Sequence, residues 1–268
     1  MKIAVVGLGW LGFPLAKSLV GKGHQVVGST RTLAKVETLE ANGIETILMD
    51  AKFENSQDLT HFFDKTAVCV LNFPPNRNEN AADLKAYGMN ALRIAALFPT
   101  ACKFIFVSST GIYPDENQLA DEASIDRNLL AQHHTLAFAE SALDTLLGNR
   151  LTIVRMAGLI GEQRKLSVFF SGRENVPNGN APVNLIHQVD CIRIIEQIIS
   201  KNCWGETFNA CASDHPTREA YYTFACQKDG IALPTFQAES KPTGKVILNQ
   251  KSKQMLDFEY KFDSPFLM

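Results

Sequence analysis

The sequence lacks the features that mark secreted, metal-binding or membrane-spanning chains. Its six cysteines are scattered and contain no Cys-x-x-Cys pair, so neither a disulfide framework nor a thiolate metal site is indicated. No apolar run reaches the length of a membrane span. A net charge of −2 gives no basic surface for nucleic acid or acidic lipids. We therefore expect a cytoplasmic, reduced and metal-free protein that binds neither nucleic acid nor membranes.

The first thirty residues carry the strongest local pattern. An apolar strand pattern over residues 2–6 is followed by the G-x-G-x-x-G spacing, a helical pattern over 11–19 and a second strand pattern over 25–28. This strand–turn–helix–strand context favours a dinucleotide site, with pyrophosphate at the helix N-terminus. The residues expected to surround the pyrophosphate are Gly7, Gly9, Trp10, Leu11 and Gly12.

The end of the second predicted strand indicates which dinucleotide is bound. In NAD-binding units a carboxylate usually holds the ribose hydroxyls at this point, but the segment here ends in Ser29, Thr30 and Arg31. The guanidinium of Arg31 suits a 2′-phosphate, and both hydroxyls can donate to it. We therefore expect NADP rather than NAD. Asp50 is expected either at the adenine edge or as a helix N-cap.

Alternating strand and helix patterns predict an α/β fold, a Rossmann-type doubly wound parallel sheet with a small C-terminal α+β substrate lobe. We expect residues 1–157 to form the dinucleotide-binding domain and residues 158–268 the substrate-side lobe, interwoven in a single globule. Residues 163–181 are expected to form a short helix and a mobile loop. Further helices are predicted over residues 33–41, 57–63, 81–98, 128–147, 189–199, 217–228 and 249–256, and further strands over residues 45–49, 67–71, 103–107, 151–154, 183–186, 206–210 and 245–247.

The motif Ser108-Ser109-Thr110-Gly111-Ile112-Tyr113-Pro114, together with the opening glycines, resembles the extended short-chain dehydrogenase/reductase superfamily, the NAD(P)-dependent epimerases and dehydratases. Stretches 154–161, 184–190 and 206–210 are similar to family segments in the same order. The plain G-x-G-x-x-G and the tail at 244–256 most resemble the atypical, YeeZ-like branch. The resemblance implies that Ser109 polarises the substrate oxygen. Asn72 and Pro74 follow the fourth predicted strand at the carboxyl edge of the sheet, where ligands bind in open α/β folds, so we expect them to lie along the cofactor together with Ser108. The prolines after Asn72 are equally explained as shaping a turn.

The family's acid/base pair, Tyr-x-x-x-Lys, is absent, because none of the five tyrosines has a lysine four residues later. Aligning Glu140 with the family's glutamate places Gln132 at the position of the tyrosine and Leu136 at the position of the lysine. Counting from Ser109 instead places His134 near the tyrosine position. His133 and His134 are therefore the nearby groups able to carry a proton at neutral pH. The alternative is structural: one histidine caps the helix and the other packs beside the cofactor. Tyr113 either donates to the substrate or anchors its turn.

Two functions remain open at this stage. The first is an NAD(P)-dependent oxidoreductase or epimerase/dehydratase-like enzyme that acts on a small polar substrate, such as a sugar or nucleotide sugar. The second is a non-catalytic NADP-binding sensor or scaffold. Basic residues at 164, 165 and 173 favour an anionic substrate. A homodimer is possible, but the sequence does not determine the oligomeric state. A third reading, a 6-phosphogluconate-type dehydrogenase, is disfavoured because such proteins usually continue into an all-helical second domain.

Overall fold

The computed structural model of the protein describes residues 1–49, 59–75, 84–238 and 243–268. The strands are β1 Lys2–Val6, β2 Gln25–Thr30, β3 Ile44–Leu48, β4 Thr66–Leu71, β5 Lys103–Ser109, β6 Gln118–Ala120, β7 Leu151–Met156, β8 Gly158–Ile160, β9 Leu185–His187, β10 Thr207–Ala210 and β11 Lys245–Ile247. The α-helices are α1 Gly12–Gly21, α2 Val36–Glu40, α3 Leu59–Phe62, α4 Ala86–Ala95, α5 Arg127–Leu130, α6 Thr135–Leu147, α7 Gln188–Lys201, α8 Arg218–Lys228 and α9 Gln250–Leu256.

Within the described ranges, seven parallel strands form the central sheet in the order β10-β7-β5-β4-β1-β2-β3. The central strands β1, β4 and β7 are almost entirely buried, as expected when both faces of a parallel sheet are covered. The strand order reverses between β1 and β4, which is where ligands bind in folds of this kind, beyond the carboxyl ends of the strands. The predicted α/β, Rossmann-type parallel fold is confirmed.

The chain divides into two compact units, each built from three separate segments. The first unit comprises residues 1–108, 126–154 and 195–207, and its apolar core includes Phe63, Phe98, Phe104 and Phe106. The second unit comprises residues 109–125, 155–194 and 208–268. It contains two small parallel sheets, β6 with β11 and β8 with β9, and an apolar cluster around Tyr221 and Tyr222.

Several predicted elements differ in detail from those observed. The helix predicted over residues 128–147 is wrong as a single element, because α5 and α6 are separated by a turn and each begins at its own cap. Asp126 caps α5 by accepting from two backbone N–H groups, and His134 caps α6. The helix predicted over 33–41 is a 3₁₀ turn followed by α2. The short helix predicted within 163–181 is a 3₁₀ turn, Ser167–Phe169, and β6 and β8 were not predicted.

None of the helices in the described ranges combines the length and the apolar character needed to cross a membrane.

Candidate dinucleotide site

A cavity of about 190 Å³ lies within the first unit at the carboxyl ends of β1, β2 and β4. The opening glycines line one side, and the residues after β2 line a second. The residues after β4 and one face of α4 complete the described wall. Its lining residues are Val6, Gly7, Leu8, Gly9, Ser29, Thr30, Arg31, Thr32, Lys35, Met49, Asn72, Phe73, Pro74, Tyr87, Asn90 and Ile94.

The three glycines of the opening motif have different surroundings. Gly7 has a φ of +101°, and a Cβ there would lie 2.3 Å from the carbonyl oxygen of Asn72. A Cβ on Gly12 would lie 2.1 Å from the carbonyl oxygen of Gly7. Packing therefore requires glycine at both positions, and at Gly7 the positive φ requires it as well. A Cβ on Gly9 would meet no described atom within 4 Å, so this glycine faces open space in the cavity wall.

Helix α1 begins directly after this loop. Its N-cap residue, Leu11, makes no side-chain capping bond, and its first turn contains no acidic residue. Backbone N–H groups and the positive end of the helix dipole are therefore available to an anion. Leu11 itself is buried and Trp10 is half-buried, and neither belongs to the described lining. Any contribution from Leu11 is that of its backbone.

The hydroxyls after β2 already hold the loop in place. Ser29 is buried, and its Oγ accepts a hydrogen bond from the backbone N–H of Gly7 at 3.1 Å. Thr30 is also buried, and its Oγ1 accepts from the N–H of Thr32 at 3.2 Å. Both side chains fix the path from β2 to the next turn, although each hydroxyl can still donate a hydrogen bond.

Two cations lie on this part of the wall. Arg31 and Lys35 are both exposed residues that line the cavity. Sequence patterns assigned Arg31 to the cofactor site but not Lys35. The signal for Lys35 is its position four residues after Arg31, at about one helical turn. Asp50, predicted at the adenine edge, lies outside the described residues. No Asp or Glu occurs among the described residues that line the cavity.

The end of β4 connects the glycine loop to α4. Asn72 donates from Nδ2 to the carbonyl oxygen of Gly7 at 3.0 Å, and its backbone N–H donates to Val6. Phe73 and Pro74 follow it along the cavity wall. Tyr87 donates its hydroxyl to the carbonyl oxygen of Phe73 at 2.8 Å, and burial raises the pKa of this phenol. Tyr87 and Asn90, which sequence reasoning did not assign to the site, both line the cavity.

The two serines that end β5 have different partners. Ser108, in the first unit, is buried and donates its hydroxyl to Oε1 of Glu140 at 2.6 Å. Glu140 is fully buried on α6. Ser109, in the second unit, is half-buried, and its Oγ accepts from the N–H of Gly111 at 3.1 Å. This bond leaves the hydroxyl proton of Ser109 able to donate to a ligand.

Tyr113 is held in a buried polar cluster of the second unit. Its hydroxyl donates to Oδ1 of Asn209 and accepts from Nη1 of Arg155, both at 2.7 Å. Burial raises the pKa of the Tyr113 phenol to about 12, although the charge of Arg155 acts in the opposite direction. The sequence allowed two roles for Tyr113, donation to a substrate or anchoring of its turn. Its two buried hydrogen bonds are those of an anchoring residue.

The histidines also differ in environment. His134 is half-buried, and its Nδ1 accepts from the backbone N–H of Ala137 at 3.4 Å, which caps α6. His133 is exposed. Leu136, which the alignment on Glu140 places at the position of the family's lysine, packs against the apolar core of the first unit.

Comparison with known proteins places these observations in a family. Residues 2–93 match the model of the NAD binding domain of 6-phosphogluconate dehydrogenase. This match stops a third of the way along the chain, whereas solved epimerases resemble the whole chain. One is UDP-glucuronic acid 4-epimerase from Bacillus cereus, solved with UDP-glucuronic acid and NAD. Its TM-score is 0.77 at 18% identity, over 99% of this chain and 96% of that one.

A second solved structure, UDP-glucose 4-epimerase from Thermotoga maritima with UDP-glucose, has a TM-score of 0.74 at 17% identity, over 100% and 97% of the two chains. At these identities the likeness is one of fold. Protein YeeZ from Escherichia coli strain K12 is 33% identical over 271 residues, which cover 100% of this chain and 98% of YeeZ. The chain therefore belongs to the YeeZ family.

Proposed function

We propose that the protein is an NADP(H)-dependent oxidoreductase or epimerase-like enzyme that acts on a sugar or nucleotide-sugar-like substrate. The observation that carries this proposal is the wall after β2, where Arg31 and Lys35 line the cavity and no carboxylate is found among the described lining residues. A carboxylate there would select the ribose hydroxyls of NAD and repel a 2′-phosphate. Two cations favour the phosphate.

The glycine loop fits the pyrophosphate. Gly9 faces open space, so the backbone can approach a ligand closely, and the positive end of the α1 dipole lies beside it without a competing acidic side chain in the first turn. When bound, the dinucleotide would accept a hydride in its oxidised form and donate one in its reduced form. The chain's own residues bind and orient it: Gly9 and the α1 N-terminus at the pyrophosphate, Arg31 and Lys35 at the 2′-phosphate, and Asn72 and Pro74 along its side.

The substrate side is supported by fewer contacts. The solved relatives in fold are UDP-sugar epimerases, which favours a sugar or nucleotide sugar for this chain as well. The free hydroxyl proton of Ser109 can polarise a carbonyl or hydroxyl oxygen. His133 and His134 are the candidates for proton transfer. The six free thiols agree with a reducing, cytoplasmic location.

A second function is favoured by one specific observation. Leu136, which the alignment on Glu140 places at the position of the family's lysine, packs against the core and cannot take that lysine's role. A chain that kept the dinucleotide cavity while losing the Tyr-x-x-x-Lys pair would bind NADP without turning over, as a sensor or scaffold.

Fluorescence titration with NADPH and NADH tests the cofactor assignment. Arg31→Ala and Lys35→Ala should each lower the affinity for NADPH about tenfold, because each removes a charge-assisted hydrogen bond to the phosphate. The affinity for NADH should stay nearly unchanged. Lys261→Ala, an exposed lysine of the second unit, serves as the control. Equal losses for both dinucleotides would contradict the 2′-phosphate assignment.

Turnover decides between the two functions. UDP-sugars and related polar carbonyl compounds should be screened with NADPH and NADP. Nicotinamide absorbance detects net oxidation or reduction, and chromatography of the products detects epimerisation, which returns the hydride and leaves the absorbance unchanged. A substrate that is turned over, with a large loss of kcat in Ser109→Ala, supports the enzyme. NADPH binding without turnover across the screen supports the sensor.

A further inference from the structure

Another cavity, of about 220 Å³, lies wholly within the second unit. It is bounded by the residues after β8, the end of β9, one face of α8 and residues near the end of the described chain. One water takes up about 10–15 Å³ of such space, so the cavity has room for a molecule of roughly a dozen non-hydrogen atoms. None of its described lining residues is shared with the dinucleotide cavity; they are Ile160, Gly161, Glu162, Lys165, Leu166, Ser167, His187, Tyr221, Phe224, Ala225, Lys228, Asp229, Pro265 and Met268.

Tyr221 brings an unpaired hydroxyl to this cavity. The residue is only 2% exposed, and its ring packs edge-on against that of Tyr222, with the ring centres 5.1 Å apart. The hydroxyl has no hydrogen-bond partner among the described residues, yet it is not one of the enclosed atoms that lack a partner there, which are Oγ1 of Thr66 and Nδ1 of His215. It therefore reaches open space, and the cavity is the space that Tyr221 lines. A hydroxyl surrounded by protein that bonds to none of it is available to a ligand.

His187 supplies a second hydrogen-bond donor. Its Nδ1 accepts the backbone N–H of Val189 at 3.2 Å, and its ring packs against that of Phe262, with the ring centres 3.9 Å apart. Burial lowers the pKa of this imidazole, although the charges of Asp190 and Glu162 act in the opposite direction. The ring is therefore neutral at pH 7, and because Nδ1 accepts a bond, the proton is on Nε2. No described residue accepts from Nε2, so this N–H is available in the cavity that His187 lines.

The two carboxylates of the described wall differ in their partners. Asp229 accepts from Nζ of Lys165 at 2.5 Å and from Oγ of Ser167 at 2.6 Å, so it is already neutralised and bonded. Glu162 is exposed, and its carboxylate has no hydrogen bond or ion pair with any described residue. It lies close enough to His187 to influence the pKa of the imidazole. Glu162 therefore offers an unpaired negative charge beside a neutral donor.

Most of the remaining wall is apolar. Lys228 is exposed; its Nζ lies 6.0 Å from the centre of the Phe224 ring and donates to the carbonyl oxygen of Met268 at 2.6 Å. An apolar surface with a few placed polar groups is the usual composition of a small-molecule site. The apolar lining residues are Ile160, Leu166, Phe224, Ala225, Pro265 and Met268.

We propose that this cavity binds an α-amino acid with an apolar side chain. The polar groups of the described wall that have no protein partner are two donors, the Tyr221 hydroxyl and Nε2–H of His187, and one anion, the carboxylate of Glu162. A carboxylate complements the donors, an ammonium group complements the anion, and an apolar side chain complements the rest of the wall. An α-amino acid carries these three parts on one carbon atom. The inference is independent of the proposed function, because the two cavities lie in different units.

Isothermal titration calorimetry of the full chain with L-phenylalanine and L-leucine tests the site, and we expect at least one of them to bind at millimolar concentration or below. Phenylpropionate has no ammonium group and phenethylamine has no carboxylate. Each should bind at least about tenfold more weakly than L-phenylalanine, because each loses one charge-assisted contact. L-Glutamate should also bind more weakly, since the apolar wall gives its side-chain carboxylate no partner.

Two variants assign the contacts. Tyr221→Phe keeps the ring and removes a hydroxyl that has no described protein partner, so it should keep the wild-type Tm and bind the amino acid about tenfold more weakly. Glu162→Gln should weaken the amino acid by a similar factor and leave phenylpropionate unchanged, because only the ammonium group faces this side chain. The matched controls are Tyr222→Phe and Glu174→Gln, two residues of the same unit that are not among the described lining.

Three results would overturn the inference. They are no binding of either amino acid to the wild type at millimolar concentration, an unchanged affinity in Tyr221→Phe, and phenylpropionate that binds as tightly as L-phenylalanine. NADPH affinity should be the same in all four variants, because the dinucleotide cavity belongs to the first unit. A failure here therefore leaves the proposed function standing.

Discussion

Asn72 and Gly7 are joined by a hydrogen bond and by close backbone packing. The side-chain amide of Asn72 donates to the carbonyl oxygen of Gly7 at 3.0 Å, while a Cβ on Gly7 would lie 2.3 Å from the carbonyl oxygen of Asn72. The end of β4 and the turn after β1 are therefore fitted to one another with no space for a side chain. This fit fixes the position of the loop that precedes α1.

Gly7→Ala should destabilise the protein by about 2–3 kcal/mol or more, because the new Cβ meets backbone and the φ of +101° is strained for alanine. Urea denaturation measures the loss. Gly23→Ala is the matched control, since Gly23 also has a positive φ of +80° but faces open space. If both variants lost the same free energy of unfolding, the contact with Asn72 would contribute nothing beyond backbone strain.

Gly9→Ala should behave in the opposite way. No described atom lies within 4 Å of the added methyl group, so the free energy of unfolding should change by less than about 0.5 kcal/mol. The methyl group occupies the space proposed for the pyrophosphate, so NADPH affinity should fall by at least about tenfold. Gly21→Ala, at the far end of α1 and also in open space, controls for the general effect of alanine. An unchanged NADPH affinity would place the pyrophosphate elsewhere.

The parts of the cavity wall that sequence patterns locate are those fixed by neighbours in the chain. The glycine spacing, the strand before it and the position of Arg31 all lie within one βαβ unit, so local pattern was sufficient. Lys35 was missed because its position depends on the 3₁₀ turn after β2, where a continuous helix was predicted. Tyr87 was recognised as a core residue of α4, but its place on the cavity wall depends on its bond to Phe73.

Sequence patterns do not predict contacts between segments that are distant in the chain. Tyr113 meets Arg155 and Asn209, which are 42 and 96 residues away in the chain. Nothing near Tyr113 in the sequence indicates that its hydroxyl is committed to these two partners. The break between α5 and α6 was missed for a related reason. Residues 128–147 contain no glycine or proline to end a helix, and the break depends on the capping bonds of Asp126 and His134.

Tyr113→Phe should therefore affect stability. It removes a buried hydroxyl that donates to Asn209 and accepts from Arg155, and leaves two buried polar groups with one partner fewer. The expected loss is about 1–3 kcal/mol in urea denaturation, with NADPH affinity unchanged. A double-mutant cycle with Asn209→Ala should show coupling of about 1 kcal/mol. A stable Tyr113→Phe variant that had lost turnover would instead support a catalytic tyrosine.

His215 should make stability depend on pH. Burial lowers the pKa of this imidazole, its backbone bond to Val183 acts against that, and Nδ1 has no hydrogen-bond partner among the described residues. The unfolded chain therefore binds the proton more readily than the folded one, and the free energy of unfolding should fall as the pH drops through and below about 6.5. His215→Gln keeps an N–H donor and cannot titrate, so it should lose less stability than wild type between pH 7.5 and pH 5.5. Parallel pH dependences would exclude this histidine as a contributor.

Asp190 joins α7 to the end of the described chain. Its fully buried carboxylate accepts from the backbone N–H groups of Lys261 at 2.9 Å and Phe262 at 2.8 Å, and from Nη1 of Arg193 at 2.7 Å. Asp190→Asn keeps the size of the side chain but removes its charge, and it turns an amide NH₂ toward at least one of these donors. A loss of about 3 kcal/mol is expected, because a buried charge-assisted network loses its acceptor.

The loss in Asp190→Asn should also be local. Hydrogen exchange at the amides of Lys261 and Phe262 should accelerate, whereas amides in β1 and β4 should change only with the global stability. Arg193→Gln is the informative comparison, since it leaves both backbone bonds to the carboxylate in place and removes a partner that is partly exposed. It should cost less than Asp190→Asn and leave the two amides protected. Arg193 also donates to the carbonyl oxygen of Glu259 at 2.8 Å. If Arg193→Gln exposed these amides to the same extent, the arginine, through its ion pair and this bond, and not the backbone bonds to Asp190, would hold this segment on α7.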